Sequence, residues 1–215
     1  MINKIHIFNN ENPTNFFNPV YKYFIYESTL NINLNTFKNY ILKIEKDIIS
    51  NNKSDGDGET GLGDNSLTSR HNSFNLFKLN KLLANEIKKH HDIFLKKLNI
   101  PNFHSIYGKC WANVMRKGDI VKIHRHANHN FTYLSGNICV DTKNTSTYYK
   151  NPFCDEVFES KNILGKITIF PSWLEHYTDV TSSLRITSSF DLSLYNKNNY
   201  FCKISNNQLE DTDHD

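Results

Sequence analysis

Between Leu184 and Leu194 two kinds of side chain alternate along the chain. Leu184, Ile186, Phe190, Leu192 and Leu194 fall on one face, and Arg185, Thr187, Ser189, Asp191 and Ser193 on the other. Successive residues of a β-strand point to opposite faces, so this period of two predicts a strand with one face on an apolar core. The polar face either meets water or lines a polar pocket. The same period marks YGKCWANVMR, DIVKIHRH, FTYLSGNICVD and GKITIF, all after Tyr107. Many short antiparallel strands in series argue for a sandwich or jelly-roll barrel.

Ahead of these strands the period changes. A β-prone run, VYKYFIY, covers 20–26. Phe37, Ile41, Ile44 and Ile48 then recur at helical spacing behind an Asn or Thr cap. A second helix is expected over about 74–98, with Leu76, Leu79, Leu83, Ile87, His91, Phe94 and Leu98 on one stripe, ending before Pro101. The two helices should cover one face of a sheet. Residues 51–66 concentrate Gly, Asp, Asn and Ser without apolar period and are expected to form a mobile loop, either a linker or a lid. His90 and His91 are expected at the surface and core edge, and Trp111 and Trp173 as packing residues.

A chain of 215 residues with 15 Phe and 11 Tyr suffices for one strand-rich core, so a single domain over 1–215 is expected: a helical lead-in over 1–100, a β core over 105–200 and a tail over 201–215. The acidic ending EDTDHD fits a solvated tail. A net charge of +3, spread along the chain, gives no reason to expect nucleic acid. No run of about 18 apolar residues is long enough to span a bilayer. The four cysteines, at 110, 139, 154 and 202, form no CxxC pair, which suits reduced thiols; a soluble, cytoplasmic protein is expected.

In DIVKIHRH, His124 and His126 stand two apart, so both imidazoles project from one face of an extended chain. Neutral imidazole suits Fe, Zn, Cu or Ni if a third ligand arrives from another strand. His129, an odd number of positions away, falls on the other face or in the following turn. Downstream, GKITIFPSWLEHYTDV runs a strand into a Pro-Ser turn and sets His176 just past it. Arg185 opens the next strand.

Taken together, Trp111-Ala112-Asn113, the HxH pair, Ser135-Gly136, FPSWLxH and Arg185 resemble the 2-oxoglutarate and Fe(II)-dependent oxygenases common in marine phage and bacterial genomes. The resemblance covers roughly Cys110 to Leu194. It implies a mainly β fold with N-terminal helices (α+β): a double-stranded β-helix, the jelly-roll or cupin-like barrel, buttressed by two helices. It makes His124 the first iron ligand, His176 the distal histidine and Arg185 the cation that pairs with the far carboxylate of 2-oxoglutarate. Asn113, Tyr133 and Ser135 would face the same cavity by parity and hydrogen-bond cosubstrate or substrate. Activity in this family uses Fe(II), 2-oxoglutarate and O2 to hydroxylate an unactivated C–H bond, releasing succinate and CO2. The substrate would be a peptide or a small molecule.

One position departs from the usual two-histidine, one-carboxylate triad: the expected carboxylate is His126. It is read as the third ligand. Alternatively it stands behind the metal while a carboxylate or water completes the sphere; Asp119 and Asp141, nearest in sequence, have the wrong spacing. Two other functions stay open: a three-histidine cupin-like dioxygenase that does not use 2-oxoglutarate, and a non-enzymatic jelly-roll binding or structural protein.

Overall fold

A computed structural model describes residues 3–126, 132–196 and 200–205. His129 and the EDTDHD ending lie outside the described residues. The chain opens with a hairpin of β1 (Lys4–Asn10) and β2 (Tyr21–Thr29), followed by α1 (Leu34–Asn51), α2 (Leu76–Leu79) and α3 (Lys81–Lys97). The strands after the helices are β3 (Ser105–Met115), β4 (Thr132–Asp141), β5 (Ser146–Lys150), β6 (Val157–Lys161), β7 (Lys166–Pro171), β8 (His176–Thr178), β9 (Arg185–Ser193) and β10 (Cys202–Ser205). A seven-stranded sheet has the order β1-β2-β7-β4-β9-β3-β10, and a three-stranded sheet the order β6-β5-β8. Tyr149 of β5 meets Phe170 of β7 edge to face at 4.8 Å, so the small sheet covers part of the large one.

Alternation in β9 and β3 divides the molecule into two layers. Cys110, Ala112, Val114, Ile186, Phe190 and Leu192 join Phe37 and Ile41 of α1 and Leu83, Ile87 and Phe94 of α3 in the main core, so the helices cover the outer face of the large sheet. Each Val, Leu, Ile or Phe among them contributes about 1.5–3 kcal/mol by leaving water. The opposite face carries Lys109, Trp111, Asn113, Arg185, Thr187, Ser189 and Asp191, which line a cavity between the sheets.

Gly136 shows how tightly β4 meets β9. A Cβ there would lie 2.2 Å from the Phe190 ring and 2.5 Å from the Thr168 carbonyl oxygen.

Several expectations are corrected. The second helix is two helices, because Asn80 ends one and begins the other. Its backbone is extended (φ −141°), its N–H donates to the Leu76 carbonyl, and its side chain accepts from the Leu83 N–H. Leu79, expected on the buried stripe, is exposed. His90 and His91 are both buried, bonded to Tyr26 Oη at 2.8 Å and Tyr133 Oη at 2.7 Å. Trp173 is partly exposed, resting edge-on against Tyr23. The expected tail contains β10, which pairs with β3. DIVKIHRH is extended but not a strand: it joins β8 by the isolated bridge between His124 and His176.

The loop over 52–66 is organised by its own polar side chains. Asp57 accepts from the Glu59 and Gly63 N–H groups, and Ser54 Oγ donates to Asp64. Arg70 anchors its far end, donating to the Asn52, Ile49 and Asp64 carbonyls. The Thr60 carbonyl accepts from the Lys122 N–H at 2.7 Å, which seats the loop beside the histidine segment.

Candidate metal centre

Backbone bonds hold the segment before β4 against β8 and the turn ahead of it: the His124 and His176 N–H groups donate to each other's carbonyls, the Thr178 N–H donates to the Val121 carbonyl at 3.1 Å, and the His126 N–H donates to the Ser172 carbonyl at 3.0 Å. Extended backbone on both sides of His124 is enough to preserve parity without a formal strand. The imidazoles of His124, His126 and His176 therefore converge, with ligand atoms all within 4.8 Å of one another.

Each Nδ1 faces an oxygen: Lys122 O for His124 at 2.9 Å, Leu174 O for His176 at 3.1 Å, and Asp191 Oδ1 for His126 at 2.7 Å. Carbonyl and carboxylate oxygens only accept, so the proton of each neutral ring belongs on Nδ1 and the lone pair on Nε2. His126 Nε2 and His124 Nε2 stand 3.4 Å apart. In this tautomer two lone pairs face each other, an arrangement that a cation between them relieves. The set could hold a metal ion, and its three neutral donors suit a first-row divalent ion.

Burial keeps the His124 and His176 rings neutral. It pulls the His124 pKa down to about 4, with His126 adding to the effect, and pulls His176 well below its ordinary value. Asp191, buried, would be raised by desolvation, but His126 and Lys109 beside it outweigh that and leave it below its ordinary value. Ser135 Oγ donates to the same carboxylate oxygen at 2.6 Å. The carboxylate of this site is thus Asp191, not Asp119 or Asp141, and it touches a ring nitrogen of His126.

Arg185 enters the same cavity from the start of β9, 2% exposed. Among the described residues no carboxylate forms a salt bridge with it. One terminal nitrogen lies 2.9 Å from Met115 Sδ, and Nε has no hydrogen-bond partner. Asn137 Oδ1, also lining the cavity, is likewise without a donor. A buried cation without an anion is costly, and Arg185 lines the cavity: that is a fit for a carboxylate ligand.

Asn113 lies in the cavity, accepting from Thr68 Oγ1 at 2.6 Å and donating to Ser189 Oγ at 2.9 Å. Tyr133 does not. A register shift between Thr132 and Leu134 reverses its parity, and its hydroxyl reaches His91 on the helix side. Among the lining residues that the sequence did not single out for the site are His71, Asn137, Lys109 and Asp191. The last two were legible only as members of alternating faces. Asp57, Gly58 and Thr60 of the 52–66 loop line the cavity too.

No family model matches the sequence, and no curated protein is similar to it. Solved structures do match the fold. The non-heme alpha ketoglutarate dependent epimerase SnoN from nogalamycin biosynthesis aligns over 79% of this chain and 76% of its own, at 10% identity and TM-score 0.52. A second SnoN structure, in complex with Fe3+, alpha ketoglutarate and nogalamycin RO, gives 10% identity over 79% and 78%, at 0.51. The carbocyclase SnoK, also alpha ketoglutarate dependent, gives 8% over 79% and 79%, at 0.51. A Pseudomonas putida prolyl-4-hydroxylase gives 8% over 51% of this chain and 64% of that one, at 0.43. The chain has the double-stranded β-helix fold of SnoN and SnoK, as its strand pattern and resemblance lead one to expect.

Proposed function

We propose that the protein is an Fe(II)- and 2-oxoglutarate-dependent dioxygenase that hydroxylates an unactivated C–H bond of a peptide or small metabolite, with release of succinate and CO2. The observation that carries this reading is one cavity holding three convergent Nε2 atoms and a buried, unpaired guanidinium.

In this reading His124, His126 and His176 hold iron through Nε2. Arg185 pairs with the far carboxylate of 2-oxoglutarate, where its planar donors meet both oxygens. Asn137 and Asn113 orient the bound acid or the substrate. Ser135 acts indirectly, by fixing Asp191, which in turn holds His126 in one tautomer and one plane. Bound there, Fe(II) and 2-oxoglutarate supply O2 activation coupled to oxidative decarboxylation of the 2-oxo acid. Trp111 and the loop carrying Thr60 close the cavity against water, making the loop a lid.

No helix among the described residues is long and apolar enough to cross a membrane. The four cysteines are unbridged, which favours the cytoplasm.

Anaerobic Fe(II) uptake, followed by succinate formation on adding 2-oxoglutarate and air, tests the reading. Stoichiometric uptake with 2-oxoglutarate-dependent succinate is expected. Arg185→Ala should keep iron and lose succinate; unchanged succinate would overturn the assignment. One observation favours the second reading, a three-histidine dioxygenase without 2-oxoglutarate: the nearest carboxylate, Asp191, is spent on His126 rather than aimed at the metal position. O2 uptake without succinate would mark that case, with Arg185 binding a substrate carboxylate directly.

A further inference from the structure

The cavity contains a second buried cation whose role the proposed cofactors leave open. Lys109 is 3% exposed and lines the same cavity. Its strand register pairs it with Asp191, whereas Met115 pairs with Arg185. The two cations therefore sit six positions apart along β9, with backbones roughly 20 Å apart at about 3.3 Å per residue. Arg185 stands at one end of the cavity and Lys109 at the other, beside Asp191 and His126.

Among the described residues the Lys109 ammonium has one hydrogen-bond acceptor, Asn72 Oδ1 at 3.1 Å, and no carboxylate within salt-bridge distance. It lies over the Trp111 ring at 5.2 Å and the Phe201 ring at 5.8 Å. Asp191 faces it electrostatically but accepts its hydrogen bonds from His126 and Ser135, both at Oδ1. An ammonium has three donors, so Lys109 keeps capacity for a further acceptor.

Charge balance points the same way, and this step rests on the function proposed above. The buried charges lining the cavity are Arg185, Lys109 and Asp191. Asp57 and Arg125 at its rim are more exposed and of opposite sign. Three neutral imidazoles do not offset a divalent ion as a carboxylate ligand would. Once 2-oxoglutarate has brought its two negative charges, one positive charge remains, on the side where Lys109 stands. We propose that the substrate carries an oxyanion, a carboxylate or a phosphate, that docks on Lys109 at the metal end of the cavity, so the protein acts on an organic acid or phosphate ester rather than a neutral molecule.

The test is a titration of the full chain, held anaerobically with Fe(II) and 2-oxoglutarate, against phenylacetate, its neutral amide phenylacetamide, and phenyl phosphate. Binding is read by Trp111 fluorescence in a Trp173→Phe background. A charged hydrogen bond is strong enough that an anion should bind roughly tenfold or more tighter than the amide. Whichever anion binds tighter identifies the oxyanion. Lys109→Met should bring the ratio of acid to amide close to one, and Lys109→Arg should retain most of it. If Lys109 merely balances Asp191, acid and amide bind alike in the unsubstituted chain, and the proposal falls without reference to any variant; a preference that survives Lys109→Met overturns it as well. Repeating the titration on Arg185→Gln without iron or 2-oxoglutarate separates the two ideas. A Lys109-dependent preference there, with no 2-oxoglutarate binding by the native chain, retains the oxyanion site and discards the cofactor reading. Normal 2-oxoglutarate binding with no acid preference does the reverse.

Discussion

His126 Nδ1 donates to Asp191 Oδ1 at 2.7 Å, across 65 residues of sequence and between two nearly buried side chains. The bond pins the ring so that its other nitrogen faces His124. Partners behind a metal-binding histidine typically matter 10–100-fold in affinity. Asp191→Asn keeps the shape and removes the charge, so Fe(II) affinity should fall roughly tenfold in an anaerobic competition against a chelator. Equal affinity would mean that Asp191 does not support the ring.

His126→Asp recreates the commoner triad but sets a new carboxylate near Asp191, which then keeps only the Ser135 hydroxyl as a donor. Metal binding should survive, weakened by repulsion between like charges. Adding Asp191→Ser to His126→Asp should recover affinity, because the repelling partner is gone. A double variant that binds metal no better than His126→Asp alone would contradict this coupling.

Arg185 is held in the folded chain against a desolvation cost that lowers its pKa. Arg185→Met replaces an unpaired buried cation with an apolar side chain of similar length, so the metal-free protein should become more stable by about 1–3 kcal/mol. In a domain of this size that is a rise in Tm of roughly 2–12 °C. Calorimetry of the metal-free Arg185→Met variant against the unsubstituted chain should show the gain.

Gly136→Ala should be costly. The added methyl meets both the Phe190 ring and a backbone carbonyl, and the carbonyl is fixed by the pairing of β4 with β7. Overpacking of this kind typically costs 1–3 kcal/mol, and about 3 kcal/mol is expected in urea denaturation. Adding Phe190→Leu should return part of it.

Acid should destabilise the protein, and the sign follows from His90 and His91. Burial lowers both pKa values below 6.5, so under acid the unfolded chain binds more protons than the folded one. Their contribution is complete above the unfolded value and drains away as pH falls below it. The urea midpoint of the metal-free protein should therefore drop between about pH 7.5 and about pH 5.5. His90→Phe should flatten that drop, since it removes one proton-binding group from the unfolded chain.

Parity was the most transferable signal in the sequence. It set Arg185, Asn113, His124 and His126 on the cavity side, and it did so for the two histidines even though their segment is not a strand. It failed at Tyr133, because a one-residue shift in pairing is a property of two strands together and has no signature in either. Asp191 was visible as one polar residue in an alternating row, but nothing local says that it meets a ring 65 positions away. The break at Asn80 was obscured because the apolar stripe runs on through it; a side chain that caps one helix while its N–H closes another overrides periodicity. β1, β5, β6 and β8 were missed; β8 has only three residues, and β6 lies at an edge with little apolar alternation.

β1 and β10 form the two margins of the large sheet. A fragment trimmed to the 105–200 core would therefore lack β1 and β2 beside β7 and β10 beside β3. It would present two rows of unpaired amides and carbonyls, together with the uncovered floor from which α1 and α3 had been cut away. Such open edges recruit other strands. Expression of the core alone should yield aggregates, and the shortest useful unit for crystallisation or engineering extends from β1 through β10.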